Sequence, residues 1–203
     1  MTYQKINRTL FGALAVAGMI GLASQAHALT LTPFLTPTPG STWGVSDTSN
    51  LGQTAVQNLV GVSPLGLVYK QDQGGSESGN GADYYTTAFT YESSGDATTA
   101  TISSDGGMKI SCPSCFLIVK DGNHSKNPPP YPQYVYDISG WNGTDTITLS
   151  GFWPGPGSIS NIAIWNNAGS NGGSIVAIPE PETYAMLLAG LGLVGFAARR
   201  RLS

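Results

Sequence analysis

Charged residues are scarce in this chain of 203 residues: they make up 10% of it, against about 25% in ordinary globular proteins. The formal net charge is −3, so there is no excess of positive charge with which to bind the phosphates of a nucleic acid. Hydrophobic residues nevertheless account for 40% of the chain, which is enough apolar surface to form a core. The composition therefore predicts a folded protein that does not bind nucleic acid.

Arginine and histidine are nearly missing from the long middle of the chain. Residues 29–178 contain no arginine and one histidine, His124. A catalytic zinc site with two or three histidine ligands cannot form there, and a Ser-His-Asp triad could use only His124 as its base. Without arginine, the usual bidentate partner of phosphate or carboxylate is also missing. These absences favour a protein that is not an enzyme.

The small net charge of the whole chain conceals an acidic middle and basic ends. Four lysines and ten acidic residues give residues 29–178 a net charge of −6, whereas five of the nine basic residues of the chain lie near its two ends. An acidic body should be repelled by nucleic acid and by anionic lipid. The basic ends are therefore expected to have a separate role from the body.

The N-terminus has the three parts of a secretory signal peptide. Lys5 and Arg8 provide positive charge, residues 10–22 are apolar, and Ala26-His27-Ala28 has the small-x-small pattern of a cleavage site. The apolar stretch is too short for a comfortable membrane span. We expect residues 1–28 to be removed during export, which makes Leu29 the first residue of the exported protein.

The C-terminus carries a second targeting pattern. A proline–glutamate–proline triplet, an apolar run and an arginine cluster follow one another: Pro179, Glu180 and Pro181; residues 184–198; and Arg199, Arg200 and Arg201. A helix of this apolar run extends about 22 Å, against a hydrocarbon core of about 30 Å. We predict a single transmembrane helix whose arginines reach the membrane surface and orient it, with the arginines in the cytoplasm and the body outside.

This order of parts resembles the PEP-CTERM sorting signal, over residues 179–202. The resemblance implies processing near Pro179-Glu180-Pro181 by exosortase, an integral-membrane, transpeptidase-like protease of Gram-negative bacteria. It implies a protein anchored in the inner membrane with a periplasmic body, which after processing reaches the cell surface or the extracellular space. Such proteins are associated with exopolysaccharide production, so exopolysaccharide and biofilm are implied as partner and setting. An ordinary tail anchor is the alternative.

The sequence between the targeting segments, residues 29–178, is expected to form one exported domain built from strands. Eight short stretches rich in β-branched or aromatic residues are separated by Gly, Pro, Asn and Asp: residues 66–70, 88–92, 97–103, 116–120, 134–138, 144–150, 159–165 and 174–178. Alternation within 144–150, where Ile147 and Leu149 share one face, is typical of antiparallel strands with one buried side. We predict an all-β fold, an antiparallel β-sandwich of jelly-roll type, with a β-helix or a small barrel as alternatives.

Several connections in this domain can also be predicted. Asn142-Gly143 predicts a type I′ hairpin between a strand that ends near Ser139 and one that starts at Thr144. Residues 29–50 and 71–82 have few apolar side chains and are expected to form an extended lead and a flexible loop. Residues 54–60 are expected to form one or two helical turns. No amphipathic helix is otherwise evident.

Cys112 and Cys115 are the two cysteines of the chain and form a C-x-x-C pair. In an exported protein we expect them to form a disulfide. A thioredoxin-like redox motif would need a βαβ setting, whereas residues 116–120 are typical of a strand. A zinc site would need two further ligands, and only His124 is nearby. We therefore predict no metal site and no other cofactor.

Aromatic residues are the candidate ligand contacts. Trp43, Trp141 and Trp153 are candidate glycan contacts, because aromatic faces stack on sugar rings, and a carbohydrate-binding module is the alternative function. Core packing of these rings between two sheets is the competing interpretation, which the sequence favours. A hydrolase of surface polymers is a third hypothesis, but no spacing selects a pair of catalytic carboxylates. Asp121-Gly122-Asn123 and Asp145 offer oxygen ligands for calcium, although Asp-Gly-Asn is also typical of an ordinary turn.

Overall fold

The computed structural model describes residues 28–122, 131–153, 157–167, 175–179 and 181–201. The predicted signal peptide, apart from Ala28, and His124 lie outside these ranges. The described residues form twelve strands and two helices: β1 (Leu29–Leu31), β2 (Thr42–Val45), α1 (Gln53–Val60), β3 (Gly66–Asp72), β4 (Glu77–Ser78), β5 (Tyr85–Tyr91), β6 (Ala97–Ser104), β7 (Met108–Ile110), β8 (Cys115–Asp121), β9 (Gln133–Asp137), β10 (Ile147–Leu149), β11 (Ile159–Asn166), β12 (Ile175–Ala177) and α2 (Pro181–Arg201).

The strands form two large sheets and one small one. The four-stranded sheet has the order β1-β10-β6-β5, the six-stranded sheet has the order β2-β9-β8-β11-β3-β4, and β12 pairs with β7. The pairings in the described residues are antiparallel except for β1 with β10, which are parallel. The prediction of a β-rich, mainly antiparallel fold is confirmed, and the jelly-roll order of its strands stays a prediction.

The six-stranded sheet is covered on both faces, and its sequence has the pattern that this requires. Strand β8 contains a continuous apolar run, residues 116–119, and all four side chains are buried. Leu117 and Val119 face the four-stranded sheet, whereas Phe116 and Ile118 face the opposite side. Continuous apolar runs are typical of strands that are buried on both faces. The run therefore places β8 in the interior of the domain.

Aromatic rings fill much of the main core between the two large sheets. Tyr134 of β9 lies in contact with Phe34, Phe152 and Trp153, at ring-centroid distances of 4.9, 5.7 and 5.6 Å. The contacts with Phe34 and Phe152 are edge-to-face, with interplanar angles of 87° and 79°. Such pairs contribute beyond the apolar area that they bury. The aromatic residues of this chain are thus largely structural.

Helix α1 covers the outer face of the six-stranded sheet. Its two turns agree with the helical turns predicted for residues 54–60. Val56 is fully buried and belongs to the same apolar cluster as Phe116 and Trp165. The helix ends at Gly61, whose φ of 72° lies in the left-handed region, where a residue with a side chain would be strained. The outer face of the sheet therefore has a small core of its own.

The hairpin predicted at Asn142-Gly143 is wrong. Strand β9 belongs to the six-stranded sheet and β10 to the four-stranded sheet, so the chain crosses between the sheets here. The Asn142 side-chain oxygen accepts hydrogen bonds from the backbone N–H groups of Thr144 and Asp145, at 2.9 and 2.8 Å. The pair therefore marks a turn that an asparagine side chain stabilises, but the local sequence does not reveal that the turn joins two sheets.

Two segments predicted to be irregular contribute strands. Residues 29–50 contain β1 and β2, and residues 71–82 contain β4. All three strands lie at the edges of their sheets, where one neighbour suffices and few side chains need to be buried. A low apolar content is therefore compatible with an edge strand. The short strand β7 was not predicted either.

The hydroxyl of Tyr85 joins three parts of the fold. It donates a hydrogen bond to the carbonyl oxygen of Gly143 at 2.5 Å and accepts one from the N–H of Ile110 at 2.7 Å. It therefore links β5 to β7 and to the crossover that follows β9. Gly143 has φ +78°, and a Cβ there would clash with the carbonyl oxygen of Ile110. Close backbone packing at this point thus requires glycine.

We predict that Tyr85→Phe destabilises the domain more than Tyr69→Phe. The first change leaves the Ile110 N–H and the Gly143 carbonyl buried without a partner, so the free energy of unfolding should fall by about 1–3 kcal/mol. The hydroxyl of Tyr69 forms a hydrogen bond with the side chain of Thr87, at 2.7 Å in a partly buried place, so its loss should cost less. Chemical denaturation measures both changes, and equal losses would contradict this role of Tyr85.

Buried tyrosines should also make the domain sensitive to alkali. Desolvation raises the pKa of Tyr69, Tyr85 and Tyr134 to about 12 in each case, against about 10 in an unfolded chain. Burial raises the pKa of Tyr136 as well. Above about pH 10 the unfolded chain loses these protons while the folded domain keeps them, so stability is lost as the pH rises further.

We therefore expect the free energy of unfolding to begin falling near pH 10 and to decrease toward pH 12. Denaturation curves across this range, with tyrosinate absorbance recorded in parallel, provide the measurement. In Tyr85→Phe the fall should be shallower than in the unchanged protein. Complete tyrosinate formation near pH 10 in a protein that is still folded would show that these hydroxyls are not desolvated.

Candidate functional site

The folded domain ends at a short strand directly before the predicted processing triplet. Strand β12 pairs with β7 so that Val176 lies opposite Lys109. One residue beyond the strand, the N–H of Ile178 donates a hydrogen bond to the carbonyl oxygen of Gly107 at 2.9 Å. The body therefore holds the chain as far as Ile178.

The prolines of the triplet suit the end of a strand and the start of a helix. Pro179 directly follows Ile178 at the end of an edge strand, where the missing N–H of proline removes no bond to β7. Pro181 is the first residue of α2, a position where the missing N–H removes no helical hydrogen bond. Pro179 is exposed, whereas Glu180 and the side chain of Pro181 lie outside what the structure describes. The triplet is thus a physical break between the domain and the C-terminal helix.

Helix α2 includes the predicted apolar run and the arginine cluster in its 21 residues. Its large apolar side chains from Met186 to Phe196 are 60–75% exposed. Arg199 and Arg200 are exposed as well, the guanidinium of Arg200 lies 5.2 Å from the ring centre of Phe196, and the side chain of Arg201 is not described. Across the described ranges, no helix has the combined length and apolar character needed to cross a membrane. The transmembrane helix at residues 184–198 stays a prediction.

The predicted disulfide is present between Cys112 and Cys115. It closes the short connection from β7 to β8, and hydrogen bonds attach this connection to the chain after β9. Gly140 N–H donates to the carbonyl oxygen of Cys112 at 2.9 Å, and Cys115 N–H donates to the Ser139 hydroxyl at 3.1 Å. Because a strand and not a helix starts at Cys115, the setting of a thioredoxin-like redox site is lacking.

Two of the three tryptophans predicted as glycan contacts lie in the core. Trp153 is 2% exposed and Trp141 is 8% exposed, because their rings pack against Phe152 and Tyr85. Little of either ring is available to a sugar, which agrees with the core-packing interpretation. Trp43 is partly buried, with its ring 5.9 Å from that of Phe116 in the outer core.

A shallow groove of about 420 Å³ lies between the start of β1 and the chain that follows β9. It includes the edge of Trp141 and the carboxylates Asp137 and Asp145. Asp137 already accepts a hydrogen bond from the N–H of Ser139 at 2.8 Å. In the part of the chain that the structure describes, no three side chains of His, Cys, Asp or Glu come together to hold a metal ion.

The residues considered for calcium are not assembled into a site. Asp121 is buried, and one of its carboxylate oxygens accepts a hydrogen bond from the N–H of Ser158 at 3.1 Å. Asp145 instead lines the groove near Trp141. Asn123 lies outside the described residues. The buried carboxylate of Asp121 thus has a structural role in joining β8 to the start of β11.

A second cavity, which the sequence did not predict, has a volume of about 220 Å³ and lies on the outer face of the six-stranded sheet. Its apolar lining residues are Leu51, Leu67, Ile118, Ala163 and Trp165. Its polar lining residues are Asn50, Lys70, Gln133 and Asn161. Gln133 lies opposite Lys120, and Lys120 lies opposite Asn161, so a polar row crosses three strands. In the sequence, the cavity is indicated only by single polar residues within apolar strands. The strand register is needed to show that these polar residues are neighbours.

The segment before α1 lies across this polar row. Gln133 donates hydrogen bonds from its side-chain nitrogen to the carbonyl oxygens of Asp47 and Ser49, at 2.6 and 2.8 Å. The N–H of Ser49 donates in turn to the Asp47 carboxylate at 2.8 Å and lowers the pKa of Asp47. These bonds fix the rim of the second cavity.

Comparison with known proteins identifies the C-terminal segment. Residues 177–201 match the family model of the PEP-CTERM protein-sorting motif. The match begins in β12 and ends with α2, so it contains the triplet and the arginine cluster. Neither the curated proteins nor the solved structures gave a match. The chain therefore carries the PEP-CTERM sorting motif and is an exported protein of the kind that exosortase sorts.

Proposed function

We propose that this protein is a non-catalytic component of the cell surface or the extracellular matrix, where it associates with exopolysaccharide. In this proposal exosortase releases it from the inner membrane of a Gram-negative bacterium. The observation that carries the proposal is the sorting motif at residues 177–201, which starts in the last strand of the β-rich domain.

The two ends of the chain support one topology before processing. The N-terminal signal exports the body, and the arginines at the end of α2 favour the cytoplasmic side of the membrane. Helix α2 extends about 31 Å, a length that includes Arg199, Arg200 and Arg201, whose long side chains can reach toward the headgroups. The triplet then lies on the outer side, between the membrane and the body.

The position of the triplet supports release of an intact domain. A cut near Pro179-Glu180-Pro181 leaves β12 paired with β7, because among the described residues the last hydrogen bond to the body is made by Ile178. The exposed apolar side chains of α2 make no part of either apolar core. The domain therefore keeps all of its described strands after processing, and the removed segment contributes only to sorting.

The chemistry of the body supports a non-catalytic role. Its single histidine is His124, and it has no arginine. The described residues contain no cluster suited to a metal ion. With a net charge of −6 over residues 29–178, the body would be repelled by a polyanion. The proposed polymer partner is therefore a neutral polysaccharide.

We predict that replacing both Glu180 and Pro181 by alanine stops processing. The break between strand and helix is weakened and the acidic residue of the triplet is lost, so the uncut chain should accumulate in the membrane fraction. Cell fractionation followed by intact mass measurement provides the readout. The matched control is Glu182→Ala, which removes an acidic residue just outside the triplet and should be processed as in the wild type.

A strain that lacks exosortase should show the same accumulation for the unchanged protein. Normal release of the double variant would contradict the role of the triplet. Normal release in the strain without exosortase would overturn the proposed sorting route.

A further inference from the structure

We propose that the second cavity, on the outer face of the six-stranded sheet, binds one ring of a neutral sugar. This inference rests on the proposed association with a polysaccharide and adds a binding site to it. The cavity measures about 220 Å³, which is below the range of about 300–1,000 Å³ that drug-sized ligands occupy. A single ring is therefore a more suitable occupant than an extended ligand.

The apolar part of the cavity is formed by side chains of adjacent strands. Ala163 lies opposite Ile118, and Trp165 lies opposite Leu67. Trp165 lines the cavity although it is only 7% exposed, so the indole forms part of the wall and not a free platform. The C–H face of a sugar ring packs well against such a surface, because burying apolar area is favourable without requiring any charge.

The polar part offers hydrogen-bond acceptors that the protein itself leaves unused. The polar residues concerned are Gln133 and Asn161. The side-chain nitrogen of Gln133 donates hydrogen bonds to the carbonyl oxygens of residues 47 and 49, and that of Asn161 donates to the Asn50 side-chain oxygen at 3.2 Å. Because the nitrogens are the atoms that donate, these bonds establish which atom of each side-chain amide is the oxygen. Although both residues are more than 90% buried, neither oxygen accepts a hydrogen bond from any residue that the structure describes. Amide oxygens at the wall of a cavity favour a ligand that donates hydrogen bonds.

The indole nitrogen of Trp165 is a second unused group at the same place. It is buried and has no hydrogen-bond partner among the described residues. A buried donor without a partner costs about 1–3 kcal/mol, so such groups require an explanation. The indole nitrogen itself is closed off from the cavity, so the amide oxygens are the groups that a ligand can reach, and hydroxyl groups can donate to them. A sugar carries several hydroxyl groups on one ring.

The charges around the cavity favour a neutral ligand. The Lys70 ammonium forms an ion pair with Asp72, with a shortest distance of 2.5 Å. The Lys120 ammonium donates to the Asn50 side-chain oxygen at 2.7 Å. Asp72 thus neutralises Lys70, the Asp47 carboxylate interacts electrostatically with Lys120, and the acidic body repels anionic ligands. A neutral hexose ring fits these conditions better than a uronic acid or a phosphate.

The test uses the exported protein, labelled with ¹⁵N, and titrates it with methyl β-glucoside, methyl β-galactoside and methyl α-mannoside. The indole N–H signal of Trp165, assigned by its loss in Trp165→Phe, reports on the cavity. We expect at least one of these glycosides to shift this signal in the millimolar range, with no shift of the Trp141 indole. Glucuronate, the charged counterpart, should cause no shift.

Two variants test the site, and one serves as the control. Asn161→Ala removes an acceptor and should weaken binding about five- to tenfold, while Ala163→Leu narrows the cavity without removing a polar group and should abolish binding. Asn58→Ala changes an exposed asparagine on α1 and should bind as the wild type does. Because Ala163→Leu keeps every hydrogen bond, it covers the case in which Asn161→Ala does not fold.

The proposal is overturned if no neutral glycoside shifts the Trp165 signal, if the shift occurs at Trp141 instead, or if Ala163→Leu binds normally. Cell fractionation of the same variants distinguishes a failure of the sugar site from a failure of the proposed sorting function. Normal release of Ala163→Leu together with lost sugar binding supports the cavity. A wild-type chain that binds glycoside but is released without exosortase contradicts the sorting route alone.

Discussion

Burial of both faces of the six-stranded sheet is the constraint on which the rest of the structure depends. One face packs against the four-stranded sheet and the other against α1 and the chain around it. A fully buried Leu, Ile or Phe side chain contributes about 1.5–3 kcal/mol, whereas a typical hydrogen bond contributes about 0.5–1.5 kcal/mol. The two cores therefore determine the fold, and the polar row of Gln133, Lys120 and Asn161 lies beside the outer core, under the segment before α1.

The domain fixes where the C-terminal segment begins, but the apolar side chains of α2 do not pack into either core. Strand β12 is held by β7, and Pro179 directly follows Ile178, whose N–H makes the last of the described hydrogen bonds to the body. The sorting motif thus joins a stable domain to a helix with exposed apolar side chains. The folded body therefore does not depend on the packing of α2. The disulfide between Cys112 and Cys115 agrees with an oxidising compartment.

The parts that the sequence predicts well are those with a strong local pattern. The strand at residues 116–120 and the helical turns at 54–60 follow from apolar runs and glycine, and the tail follows from its prolines and arginines. The edge strands β1, β2 and β4 bury too few side chains to produce a recognisable apolar pattern in the sequence. The sequence indicates the turn at Asn142 but not that the two strands it connects lie in different sheets, because sheet membership is set by distant contacts. The cavity at Trp165 depends on strand register, which no local sequence contains.

The mass of the exported protein tests the central claim most directly, because one measurement reports both ends of the chain and the disulfide. A protein sorted by exosortase should begin at Leu29, end near the Pro179-Glu180-Pro181 triplet, and lack the hydrogens lost to one disulfide. In cells without exosortase, the chain should still begin at Leu29 but should retain residues 181–203. An exported protein that retains those residues in wild-type cells would contradict the account.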